Sequence, residues 1–166
     1  MVRINFENFP KIKQSTQIWC IPASVENVVK YHGGDISQVD IVIEFIQKFT
    51  YFKSICFEKV KDILDERYGK NFEFIVKSLS NGDFKTGNDV ISYAEDCIKK
   101  GLPLIVSMKP FKSRGAHMYT IIGLDDDIVV VFDTNPDVKG YTRMPKDKFI
   151  RDLSSDMGTL LIKPKS

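Results

Sequence analysis

A thiol paired with an imidazole can break an acyl bond, and this chain holds few of either: Cys20, Cys56 and Cys97, with His32 and His117. A thiol attacks a carbonyl as thiolate, and a free cysteine with a pKa of about 8.5 is mostly protonated at neutral pH. Two devices favour the charged form: a helix N-terminus, whose dipole suits negative charge, and a neighbouring imidazolium. Cys20 stands where the first is available. Pro22 suits the first turn of a helix, where its missing N–H has no partner to lose. Val25, Val28 and Val29 follow at helical spacing and Gly33-Gly34 supplies the stop, so a helix is expected from Ile21 to His32. A backbone N–H at such a helix start can also receive an oxyanion. His32, at the far end, is expected to act as a cation favoured by the C-terminal dipole. Cys56 and Cys97 fall in helical apolar or mixed settings and are expected as core or half-buried thiols.

The base must be held in one orientation. His117 opens the strand-like run HMYTIIGL, residues 117–124, and IVVVFD, residues 128–133, follows across Asp125-Asp126-Asp127. A polar turn of this length makes the two runs an antiparallel hairpin. If the turn centres near Asp126, facing residues have numbers that sum to about 252. His117 then lies opposite Asn135, with Asp133 two residues away on the same face. Either one supplies an acceptor that sets the imidazole tautomer and stabilises the imidazolium. The three aspartates of the turn lack the spacing and distal glutamate of a calcium loop, and read as a solvated turn.

The other elements supply the frame. Residues 1–19 show no period and read as an extended or looping lead-in. A second helix is expected after Ser37, with Ile41, Val42, Phe45, Ile46 and Phe49 on its inner face. A third covers Phe57 to Tyr68, and a fourth runs from Asn88 to Lys100 and ends at Gly101. Strands are expected over residues 71–78, 104–108 and 158–163, and a short helix from Met144 to Leu153 with Pro145 at its start. Helices come first and a mostly antiparallel sheet follows, so the fold class is α+β.

Composition bounds the rest. The 166 residues, 43% of them apolar, suit one domain spanning 1–166 with a substantial core. Basic and acidic residues number 24 and 22, and the lysines recur singly, so nucleic acid is not an expected partner. No signal sequence and no apolar run of about 18 residues is visible, so neither signal-directed export nor membrane insertion is expected, and leaderless export stays open. An odd cysteine count without a C-x-x-C pair argues for a reducing, cytoplasmic setting without disulfides. Two distant histidines leave no zinc pattern, and no cofactor or metal is expected. Nothing in the sequence reports an oligomeric state.

Two segments resemble a known family. Gln14-Ser-Thr-Gln-Ile-Trp-Cys20-Ile-Pro-Ala-Ser-Val, followed by Lys30-Tyr-His-Gly-Gly, is similar to the nucleophile segment of C39-type papain-like cysteine peptidases. Those have a glutamine six residues before the cysteine, a Cys-x-Pro-Ala helix start and a tyrosine-glycine helix end. Gly115-Ala-His117-Met-Tyr-Thr-Ile-Ile-Gly123, then Val-Val-Val-Phe-Asp133-Thr-Asn-Pro136, resembles their histidine hairpin, in which aspartate follows histidine by sixteen residues. The resemblance covers residues 14–34 and 115–140. It implies a papain-like fold, with the nucleophile helix in the N-terminal part and His and Asp on the sheet. It implies Gln14 as oxyanion-hole amide, Cys20 as nucleophile, His117 as base and acid, and Asp133 as its orienter. Gln17 competes for the amide role, and Asn135 for the orienting one. The implied partner is a protein or peptide substrate. Ile21 stands where many members carry glycine, and the leader-cleaving members are joined to transporters, so standalone hydrolases are the nearer analogy. An acyl transferase of transglutaminase type, an effector or toxin with one target, and a catalytically idle binding module are the alternatives.

Overall fold

A computed structural model describes residues 1–49, 56–109 and 117–166. In chain order its elements are β1 (Val2–Arg3), α1 (Cys20–Tyr31), α2 (Gln38–Phe49), α3 (Phe57–Tyr68), β2 (Phe72–Lys77), α4 (Gly87–Lys99), β3 (Leu104–Met108), β4 (His117–Leu124), β5 (Ile128–Asp133), β6 (Tyr141–Pro145), α5 (Lys146–Asp152) and β7 (Thr159–Pro164). The sheet runs β2-β7-β3-β4-β5-β6, every pairing is antiparallel, and β1 adds to β4. This is an α+β fold of papain-like type. No described helix is long and apolar enough to cross a membrane.

The central strands are buried in continuous runs rather than alternately: Leu104–Val106, Thr120–Leu124, Val129–Asp133 and Thr159–Ile162 are all covered. A strand buried without alternation has both faces packed. The hairpin that carries His117 and Asp133 is therefore clamped on both sides. Its register follows the sequence arithmetic at the functional end, where Tyr119 pairs with Asp133 and Thr120 with Phe132. A bulge between Ile121 and Gly123 then shifts the pairing so that Gly123 meets Val130. At the turn, the Asp125 carboxylate accepts from the N–H groups of Asp127 and Ile128.

Helices α1 and α4 end alike. Gly33 and Gly101 take left-handed φ values of 82° and 74°, which cost a glycine little. The N–H of Gly33 returns to Lys30 and that of Gly34 to Val29, while Gly101 returns to Ile98 and Leu102 to Cys97. These paired bonds are Schellman motifs, and they satisfy carbonyls the helix ends would otherwise leave open. The start of α4 is one residue earlier than expected, because the Asp89 carboxylate accepts from the Lys85 and Thr86 N–H groups and caps it there.

Several expectations are corrected. The lead-in contains β1, and Ile4 and Phe9 are buried in the core. The helix expected from Met144 begins at Lys146, because residues 141–145 form β6 instead. That strand sits at the sheet edge with Met144 its one buried side chain, so it leaves no alternating apolar signal. On α2, Ile46 is 44% exposed and outside the inner face. Cys56 is exposed, whereas Cys97 is buried. His32 is not a dipole-favoured cation: its side chain packs edge-on against Tyr31, and burial lowers its pKa.

A buried polar network on α1 and α2 holds the chain ahead of Cys20. Asn27, 0% exposed, uses its amide like a neighbouring strand: Oδ1 accepts from Ile12 N–H at 2.9 Å and Nδ2 donates to Ile12 O at 2.8 Å. Gln38 repeats the pattern one step on, accepting from Ser15 N–H and donating to Lys13 O. Glu26 accepts from the Gln38 main-chain and side-chain N–H groups and pairs with Lys30. Residues 12–15 are thus pinned as an extended strap. Asn27→Ala leaves both polar groups of Ile12 unpaired, so a loss of about 2–4 kcal/mol is expected in chemical denaturation.

Candidate active site

Each candidate residue stands at the end of an element. Cys20 is the first residue of α1 and packs at 7% exposure. The helix start has no side-chain cap and no acid in its first turn, so its N–H groups remain available. Among the influences on the thiol, the backbone N–H groups of Ile21, Cys20 and Met118 favour its charged form. Met118 follows His117 directly, so the nucleophile helix meets the base-bearing strand at this point.

His117 opens β4, and its Nε2 lies 3.1 Å from Asp133 Oδ2 at the end of β5. The Asp133 Oδ1 accepts from Asn135 N–H at 2.9 Å, so both carboxylate oxygens are engaged. Tyr119 stands edge-on to the imidazole, with ring centroids 5.0 Å apart. A bond at Nε2 leaves Nδ1 as the nitrogen available to the thiol proton. Asn135 is the residue directly across by register, yet its side-chain oxygen accepts from Asp137 N–H and caps the turn. Of the two acceptors open in the sequence, the diagonal one, Asp133, meets the imidazole.

Electrostatics oppose the expected thiolate. Burial pushes the Cys20 thiol up to about 11, and the charge of Asp133 adds to the rise. The backbone N–H groups act the other way, as the dipole argument requires, but burial outweighs them. Burial therefore favours the protonated thiol over the thiolate at this position.

Gln14 lies on the strap. Its main-chain N–H donates to Thr134 O at 2.9 Å, and its Oε1 accepts from Thr134 Oγ1 at 2.7 Å. Its Nε2 donates to the carbonyls of Thr16 and Gln17, at 2.9 and 3.2 Å. Gln17 contributes only its main-chain carbonyl, as acceptor from the Gln14 amide, with its side chain on the exposed rim. Gln14, Gln17, His117 and Asn135 line one cavity of about 270 Å³, with Pro136 and Asp137 across from the strap. Gly115 and Ala116 lie outside the described residues.

Sequence reasoning passed over the groups that brace this arrangement. Lys13 Nζ donates to the carbonyls of Asp133 and Val138, at 2.8 and 2.7 Å, and lies over the Phe132 ring. Thr134 clasps Gln14. Asn27 and Gln38 hold the strap from behind. Asn27 falls on the side of α1 opposite Val25 and Val29, so the valine stripe gave no sign that it would be buried.

A thiol at a helix start, beside a histidine–carboxylate pair on an antiparallel hairpin, defines the papain-like cysteine peptidase fold. The chain matches the Peptidase_C39 like family over residues 6–154, and it belongs to that family. Among solved structures it is similar to the peptidase domain of Streptococcus ComA, a bi-functional ABC transporter involved in a quorum sensing pathway. That match has 20% identity and a TM-score of 0.68, covering 93% of this chain and 97% of that one. A putative C39-like peptidase from Bacillus anthracis matches at 15% identity and a TM-score of 0.72, covering 99% of each chain. No curated protein gave a significant sequence match.

Proposed function

We propose that this chain, acting as one domain over residues 1–166, is a cysteine peptidase that cleaves a peptide bond in a protein or peptide substrate. The observation that carries the reading is the His117–Asp133 pair at 3.1 Å, on the strand whose next residue contacts the Cys20 thiol. In the first step the thiol proton passes to His117 Nδ1 as sulfur bonds to the carbonyl carbon. The carbonyl electron pair moves onto oxygen, which the Cys20 N–H and the Gln14 amide receive. His117 then gives its proton to the leaving amine as the C–N bond breaks, and water hydrolyses the thioester with His117 again as base. Asp133 keeps Nε2 protonated and steadies the imidazolium.

All three cysteines are free, which supports a reducing, cytoplasmic setting. Incubation with a proteome-derived peptide library, read by mass spectrometry of new termini, tests the activity. New C-termini sharing a sequence preference are the expected result. A library left intact by freshly reduced protein would sink the peptidase reading and favour an idle binding module. With glycine ethyl ester present, capped products in place of free acids would mark acyl transfer.

A further inference from the structure

A primary amide has a donor end and an acceptor end of nearly equal shape, and half a turn about its last torsion exchanges them. Only the NH2 end of Gln14 can receive an oxyanion; the carbonyl end would repel it. Something must therefore decide which end faces the cleft. The Thr16 and Gln17 carbonyls cannot donate, so the group near them must be the NH2 end. These contacts are exposed, and one of them must yield when an oxyanion arrives. The opposite end is anchored differently. Thr134 is fully buried, and its hydroxyl donates to Gln14 Oε1 at 2.7 Å. Its carbonyl also accepts from the Gln14 N–H at 2.9 Å.

Resting on the reading of Gln14 as oxyanion donor, we infer that Thr134 is the residue that positions it. Thr134 holds the carbonyl end of the amide, so that the NH2 end stays aimed as its loop partners are exchanged for the oxyanion. Asp133 and Thr134 then divide the work between consecutive residues: one orients the base, the next the oxyanion donor.

p-Nitrophenyl acetate and iodoacetamide separate this role from a merely structural one. In the first reaction the Cys20 sulfur bonds to the acetyl carbon, the thiol proton goes to His117, and p-nitrophenolate leaves. An oxyanion forms on the way. Alkylation by iodoacetamide displaces iodide and forms none. The acylation rate of Thr134→Val should fall about tenfold, the scale of one hydrogen bond. That of Gln14→Ala should fall about 10²-fold or more. The double variant should be no slower than Gln14→Ala, since without the amide Thr134 has nothing to orient. Thr134→Ser, which keeps the hydroxyl, should stay near the parent rate. Alkylation of Cys20, followed by peptide mass spectrometry, should change little in any of them.

Acylation by Thr134→Val at the parent rate, with Gln14→Ala slow, overturns the inference. So does a double variant whose losses multiply, or a Cys20 alkylation rate that falls along with acylation. If Gln14→Ala itself acylates at the parent rate, the oxyanion reading beneath the inference fails instead.

Discussion

Cys20→Ala is expected to abolish cleavage while leaving the fold intact. In the proposed mechanism the thiol sulfur is the atom that bonds to the substrate, and alanine offers no substitute for it. When members of such a unit are removed singly, losses on the order of 10⁶-fold in kcat are the scale to expect. Little structural change should accompany the loss, because the site lies at a helix start where alanine is well tolerated. Substrate binding should survive, so cleavage of the peptide library vanishes while bound peptides can still be recovered. Cys20→Ser should be nearly as inactive, since a hydroxyl is much harder to ionise than a thiol already held up to about 11. Cys56 offers an internal control: it is exposed, so Cys56→Ser should keep parent activity. New termini that persist at the parent rate in Cys20→Ala would rule out the thioester mechanism.

The second large effect belongs to His117. His117→Ala removes the proposed proton acceptor and should cost about as much in kcat as loss of the thiol. The Cys20→Ala and His117→Ala changes should combine without further loss, because each alone already breaks the same step. The variant also exposes what burial does to the thiol. Without an imidazole to take its proton, Cys20 must ionise into solvent. The thiolate is the reactive form, so its alkylation by iodoacetamide should stay slow at neutral pH and rise as pH passes through about 11. The parent, which can pass the proton to His117, should alkylate Cys20 at much lower pH. A His117→Ala profile with its midpoint near 8.5, the ordinary thiol value, would contradict the burial argument. Asp133 should tolerate the change, since it keeps the Asn135 N–H and the nearby Lys13 ammonium.

Much of this was legible before any coordinates. Local rules set the helix that begins at Cys20, because Pro22, the valine stripe and Gly33-Gly34 act within a few residues of one another. The hairpin was legible for the same reason: a short polar turn between two apolar runs leaves few registers, and the one read off it holds at Tyr119 and Asp133. The edge strand β6 was not legible, because an edge with one buried side chain carries no alternation. Ile46 was misplaced because periodicity marks a helix face without saying how wide its cover is.

The sequence by itself determined the residue types, their order and the two local frames, one for the thiol and one for the imidazole. Tertiary structure alone decided three things. It brought α1 against β4, so that the thiol meets the main chain beside His117. It set the Asp133 carboxylate against the imidazole and turned the Asn135 side-chain oxygen to the Asp137 N–H. It buried the Cys20 sulfur, which raises its pKa. That last effect has a plain physical cause: a helix dipole is a local property, whereas desolvation depends on everything packed around the sulfur, and here burial is the stronger of the two.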